Sequence, residues 1–155
     1  MRIVDNITSN QLVELLDRTL PVEAEPTVCL ATCDLDGPHV RNLSLVRDRL
    51  SFYFATSRDS EKMSQLKEHG NVELFAVLRG ETKLGSLRVA GTLVEVEGAP
   101  LHEAWERAQG YDAKRHFAGG LDDPELIAFR IQPVRVRLRR PGDREVDVPI
   151  ELFTS

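Results

Sequence analysis

Six runs rich in β-branched, aromatic and other apolar residues constrain this chain more than any other feature; they span residues 27–33, 39–46, 50–56, 72–78, 84–96 and 126–139. Strand–helix–strand alternation, the mark of a parallel sheet, does not recur. The runs therefore predict a mainly β fold, an antiparallel sheet curled into a small closed or partly closed barrel with a few helices. The chain has 155 residues, of which 41% are apolar and 29% charged. That is room for a single domain over 1–155 with one true core.

The connections support this reading. Asp36-Gly37-Pro38 reads as the turn of a hairpin, and the run after it places Val40, Asn42, Ser44 and Val46 on one face and Arg41, Leu43 and Leu45 on the other. Arg47-Asp48-Arg49 reads as a short connection to the third run. In 84–96 the apolar phase moves from Leu87/Val89 to Val94/Val96 past Gly91, which predicts a bulge or barrel corner there. The last run sets Val134, Val136 and Leu138 against Arg135, Arg137 and Arg139, and the tail to residue 155 offers an edge strand.

Three helices are expected. Thr8-x-x-Gln11 is a capping-box pattern ahead of Leu12, Val13, Leu15, Leu16 and Leu20, and Pro21 stops the periodicity. A short helix over 61–69 shares Met63 and Leu66 on one face before Gly70, and a polar one over 99–109 carries Trp105. Residues 111–124 read as irregular.

Charge and cysteine usage exclude several functions. Twenty Lys and Arg face 25 Asp and Glu, a net charge of −5, which argues against nucleic acid as a partner. The arginines of 135–140 are expected to form a solvated face or a subunit contact. No apolar run approaches the ~20 residues of a membrane span. Asp5 stands where a secretory signal carries its apolar stretch, so the expected location is the cytoplasm. Cys29 and Cys33, four apart in a strand, lie about 13 Å from each other, beyond the ~7 Å reach of a disulfide. They read as reduced, buried small hydrophobes. The four histidines show no metal-ligand spacing with them, so no metal is expected.

Motifs for common chemistries fail on inspection. Gly80-x-x-x-x-Gly85-Ser86 lacks the lysine of a phosphate loop and joins two strands, and Asp34-Leu35-Asp36-Gly37 lacks the later acidic ligands of a calcium loop; both read as turns. There is no Gly-x-Ser-x-Gly elbow, and His102-Glu103 reads as a solvated pair. No side chain stands out as a catalytic acid or base.

The informative segment is Thr56-Ser57-Arg58-Asp59-Ser60-Glu61-Lys62, where three hydroxyls and a lysine surround a strand end and a helix start. Free amides and the helix dipole attract a phosphate at such a place. The same residues also suit simple capping, with Lys62 in solvent. Arg41 bears on the choice: it shares a face with Leu43 and Leu45, so a core-facing strand draws its guanidinium inward and demands an anionic partner, a phosphate or an internal carboxylate. Arg88 alternates against Leu87 and Val89 and reads as outward.

Taken in order, Arg41 to Val46, Phe52 to Ser57 with Ser60-x-Lys62, Gln65-Leu66, Asn71 to Leu74 and Leu87 to Gly91 resemble the FMN-binding split barrel of the pyridoxamine 5′-phosphate oxidase-like superfamily. The stretch 117–124 is similar to its general-stress-protein branch. The resemblance covers about residues 10–140. It implies that Arg41, Ser60, Lys62 and the Thr56 hydroxyl hold the FMN phosphate, with Ser57 beside them. Backbone groups of Asn42 and Leu43 then meet the isoalloxazine edge, and Ser86 and Arg88 fall in the stretch where the oxidase contacts the flavin with a glutamine. It also implies a homodimer with the flavin at the subunit interface and a flavin-dependent oxidoreductase acting on a small molecule. Related families place deazaflavin (F420) or haem in this fold, and a non-catalytic flavin-binding stress-response protein is the remaining alternative. Ser86 replaces the oxidase's glutamine, Glu61 an arginine and Val46 a lysine. The oxidase's C-terminal arginine- and tryptophan-containing signature has no counterpart, which leaves the substrate open.

Overall fold

The computed structural model describes residues 3–20, 27–59, 66, 70–108 and 112–153. It contains α1 (Ser9–Thr19), β1 (Thr27–Asp34), β2 (Gly37–Ser44), β3 (Val46–Asp48), β4 (Ser51–Ser57), β5 (Asn71–Arg79), β6 (Leu84–Val96), α2 (Gly98–Ala108), β7 (Leu126–Arg139) and β8 (Val146–Val148). All the strands form one sheet in the order β2-β1-β5-β6-β7-β4-β3, and every ladder is antiparallel. β8 joins β7 beyond the stretch that pairs with β4, and it is the edge strand expected of the tail. The sheet curls until β2 comes back against β4, giving a split half-barrel.

Alternation decides what fills it. Arg41, Leu30, Leu74, Val89 and Val136 are successive register partners and therefore share the concave face. The four apolar members of that row are buried, together with Phe52, Phe54, Phe129 and Ile131. Helix α1 closes the open side with Leu12 and Leu16. Its start is the expected capping box: Thr8 Oγ1 accepts from the Gln11 amide at 3.2 Å and Gln11 Oε1 from the Thr8 amide at 2.9 Å. Phe153 stacks on Phe52 with ring centroids 6.3 Å apart.

A second, smaller core lies on the convex side. There α2 lays Leu101, Ala104, Trp105 and Ala108 over Val46, Tyr53, Leu126 and Ala128, with Trp105 edge-on to Tyr53 at 6.1 Å. α2 thus roofs one half of the convex face, and among the described residues no helix covers the other.

Four expectations need correction. Residues 39–46 do not form a single strand: Leu45 is buried between β2 and β3, and Arg47 and Asp48 belong to β3 instead of a loop. The turn after them holds Arg49 at φ +54°, its carbonyl accepting from Arg47 Nη1 at 2.9 Å. The irregularity does fall at Gly91, but the extra residue is Val134 on β7: Ala90 pairs with Arg135 and Gly91 with Pro133. The inward positions of β7 therefore pass from Ile127, Phe129 and Ile131 to Val136 and Leu138, and Val134 is 65% exposed instead of lining the core. Finally, Cys29 is half-buried and Cys33 exposed, because the apolar face of β1 is that of Val28 and Leu30; both thiols are free.

Candidate functional site

The concave face turns polar toward the tip of the β1–β2 hairpin, and Arg41, at mid-ladder opposite Leu30, lies on it as its phase predicts. Its Nη2 donates to Thr32 Oγ1 at 3.2 Å. Its Nε is shut off from solvent and has no hydrogen-bond partner among the described residues. A guanidinium nitrogen in that state is an unmet donor, costly unless something external accepts from it.

Thr56, opposite Ile127 in the β4–β7 ladder, faces the same concave side, and β4 is the strand that β2 curls back to meet. Leu43 is half-buried against the core, on the Arg41 side of β2. Ser57, one residue on from Thr56, pairs with Leu126 on the convex side, and its Oγ accepts from the Asp59 amide at 3.4 Å. Ser60 and Lys62 lie outside the described residues, as do the rest of the expected 61–69 helix apart from Leu66, which is buried in the main core.

The other expected residues are on the opposite face. Asn42, Cys29, Phe75, Arg88 and Arg137 form the convex row next to that of Arg41. Asn42 is exposed and its Oδ1 accepts from Cys29 Sγ at 3.5 Å. Arg88 is half-buried in an ion-pair cluster, with Nε 3.2 Å from Glu73 and Nη1 3.2 Å from Glu145. Burial opposes its charge, but the two carboxylates outweigh it, and its pKa stands above the ordinary arginine value. Ser86, two residues before it on the same face, is buried. A single chain thus carries Arg41 and Thr56 on one side of the sheet and Asn42, Ser86 and Arg88 on the other.

Thr32 and His39 escaped the motif reading and Asp34 entered it only as part of a turn; all three lie on the concave face with Arg41. His39 Nε2 and Asp34 Oδ1 are 2.9 Å apart. The i, i+2 spacing from Leu30 and from Arg41 was the available signal. The glycine loop 80–85 is the expected turn, closed by the Gly80 amide on the Lys83 carbonyl at 2.9 Å, and His102 pairs with Asp122 at 2.7 Å. Among the described residues no group of three or more His, Cys, Asp or Glu could hold a metal, and no helix is long and apolar enough to cross a membrane.

A curled antiparallel half-barrel with an inward arginine at the mouth defines a protein of the split-barrel class. Comparison with known proteins specifies the class further: the sequence profile described as pyridoxamine 5′-phosphate oxidase matches residues 17–140, and the chain belongs to that family. General stress protein 26 of Bacillus subtilis (strain 168) is 29% identical over 126 residues, covering 79% of this chain and 85% of that protein. The crystal structure of general stress protein 26 from Bacillus anthracis str. Sterne superposes with a TM-score of 0.64 at 18% identity, covering 90% of this chain and 97% of that one. A haem-binding protein of Mycobacterium smegmatis shares the fold at a TM-score of 0.72 and 16% identity, over 91% of this chain but 59% of its own.

Proposed function

We propose that this protein binds FMN as a homodimer and works as a flavin-dependent oxidoreductase on a small molecule. The observation that carries the proposal is the Arg41 guanidinium, drawn to the mouth of the barrel with a buried, unmet Nε. A phosphomonoester supplies acceptor oxygens of the kind this donor lacks. Arg41 and the Thr56 hydroxyl hold the phosphate together with Ser60 and Lys62. Among the described residues β2 pairs with β1 alone, which leaves the other edge of the strand carrying Asn42 and Leu43 to meet a ring edge. Bound flavin supplies the electron transfer, and the protein's part is to fix the phosphate, orient the ring and limit water around it.

The split of the expected residues between two faces supports the dimer. Arg88, on the convex half that α2 does not cover, lies across the sheet from the same chain's Arg41 but can serve a second copy's, whereas Ser86 is buried within its own chain. That half also exposes Val40, Phe75 and Val77, at 70%, 40% and 36%, a set of apolar side chains suited to a subunit contact.

Two measurements test this reading. The purified protein should absorb in the flavin bands or take up FMN with quenching of its fluorescence, and Arg41→Ala should lose that binding. Sedimentation should give a dimer. A wild-type protein that refuses FMN overturns the proposal, and parallel titrations with F420 and with haem show which other cofactor the barrel takes. Bound FMN that neither NADH nor NADPH reduces, with no turnover on a panel of acceptors, makes the protein a flavin binder without catalysis.

A further inference from the structure

The β1–β2 hairpin treats Arg41 differently from several ion-paired arginines of the chain. Arg47 pairs with Asp17, Arg88 with Glu73 and Glu145, Arg107 with Asp48 and Arg140 with Asp5. Among the described residues Arg41 has no carboxylate partner and meets a neutral hydroxyl, that of Thr32. A carboxylate stands farther along the same concave face: Asp34, two residues beyond Thr32, its side chain only 10% exposed. Its Oδ1 is already engaged, by His39 Nε2 at 2.9 Å and by the Asp36 amide at 2.8 Å.

We infer that Thr32 and the Asp34–His39 pair are positioning residues for Arg41. Thr32 aims the guanidinium by a bond that leaves its charge unneutralised, and His39 occupies a carboxylate on that face, that of Asp34, which would otherwise compete for it. Arg41 is thereby kept for an external dianion, the phosphomonoester of FMN, with Nε as the open donor. An arginine already tied to a carboxylate has less to gain from a phosphate, because the internal pair must loosen first. The inference rests on the FMN reading above and adds the residues that make Arg41 available.

Titrations with FMN and with riboflavin, which lacks the phosphate, separate the possibilities. Thr32→Val should weaken FMN about tenfold, the scale of one hydrogen bond to a charged group, and Thr32→Ser should restore it. His39→Ala should weaken FMN similarly, and adding Asp34→Asn to His39→Ala should recover affinity, since an amide cannot draw the guanidinium away. Riboflavin should bind every one of these variants as it binds the wild type. FMN affinity unchanged in Thr32→Val while Arg41→Ala loses it overturns the positioning role of Thr32 and leaves the FMN reading standing. Equal losses for riboflavin, or no recovery in the double variant, assign these residues to local packing and overturn the inference. A wild-type protein that does not bind FMN overturns the reading and this inference with it.

Discussion

Gly91 shows how much one missing side chain can decide. A Cβ at this position would lie 2.1 Å from the carbonyl oxygen of Gln132, inside any tolerable contact. The two backbones approach this closely because β7 accommodates its extra residue, Val134, opposite that point. Gly91→Ala must push the strands apart and should destabilise the fold by about 1–3 kcal/mol, the usual scale of forced overpacking; a urea midpoint equal to wild type would contradict the close approach. The glycine was legible in the sequence as a break in phase. Which strand carries the extra residue was not, because periodicity along one strand is blind to the register of its partner. The inward phase of Arg41 was legible from Leu43 and Leu45 on its own strand, whereas the clamp on Arg88 was not: Glu145, one of its two partners, is 57 residues away.

Among the elements, α1 and α2 illustrate two ways a helix is held. α1 starts where its capping box says, and Thr8→Ala should cost about 1 kcal/mol of stability in denaturant titration, with Thr8→Ser nearly neutral. α2 depends on what it covers. Trp105 is buried edge-on to Tyr53 across the convex face of β4, and Trp105→Ala should cost about 3–5 kcal/mol, read as a lowered melting midpoint. The sequence announced Trp105 as part of a polar helix and left its partner unnamed. It likewise merged β2 with β3, since nothing local distinguishes a bend at buried Leu45 from a continuing strand. The six strand runs were otherwise recoverable because alternation is a local property. The phosphate end of the site was recoverable only in part, as it depends on which face of the sheet each residue reaches.

Across the whole molecule, the two ends of the described chain are tied by charge. Arg140 grips Asp5 through two 2.9 Å bonds, while the backbone of Asp5 bonds to Asp147. The Arg140 hydrogen bonds hold the Asp5 carboxyl below its ordinary pKa of 3.8. A folded-state pKa that is lowered means stability fully present above the ordinary value and lost as pH falls through the folded one. Asp5→Asn should therefore flatten part of the acid destabilisation, with urea midpoints at about pH 6 and pH 3 differing less than in wild type; an identical acid slope would show that the contact is worth nothing in solution.

The roof that α2 places over half of the convex wall has a consequence for assembly. In the proposed dimer, a second molecule that docks on the uncovered half with its own copy of that patch is related to the first by a two-fold axis. Such an isologous union consumes its own sticky surface and stops at two, with no leftover patch from which a filament could grow.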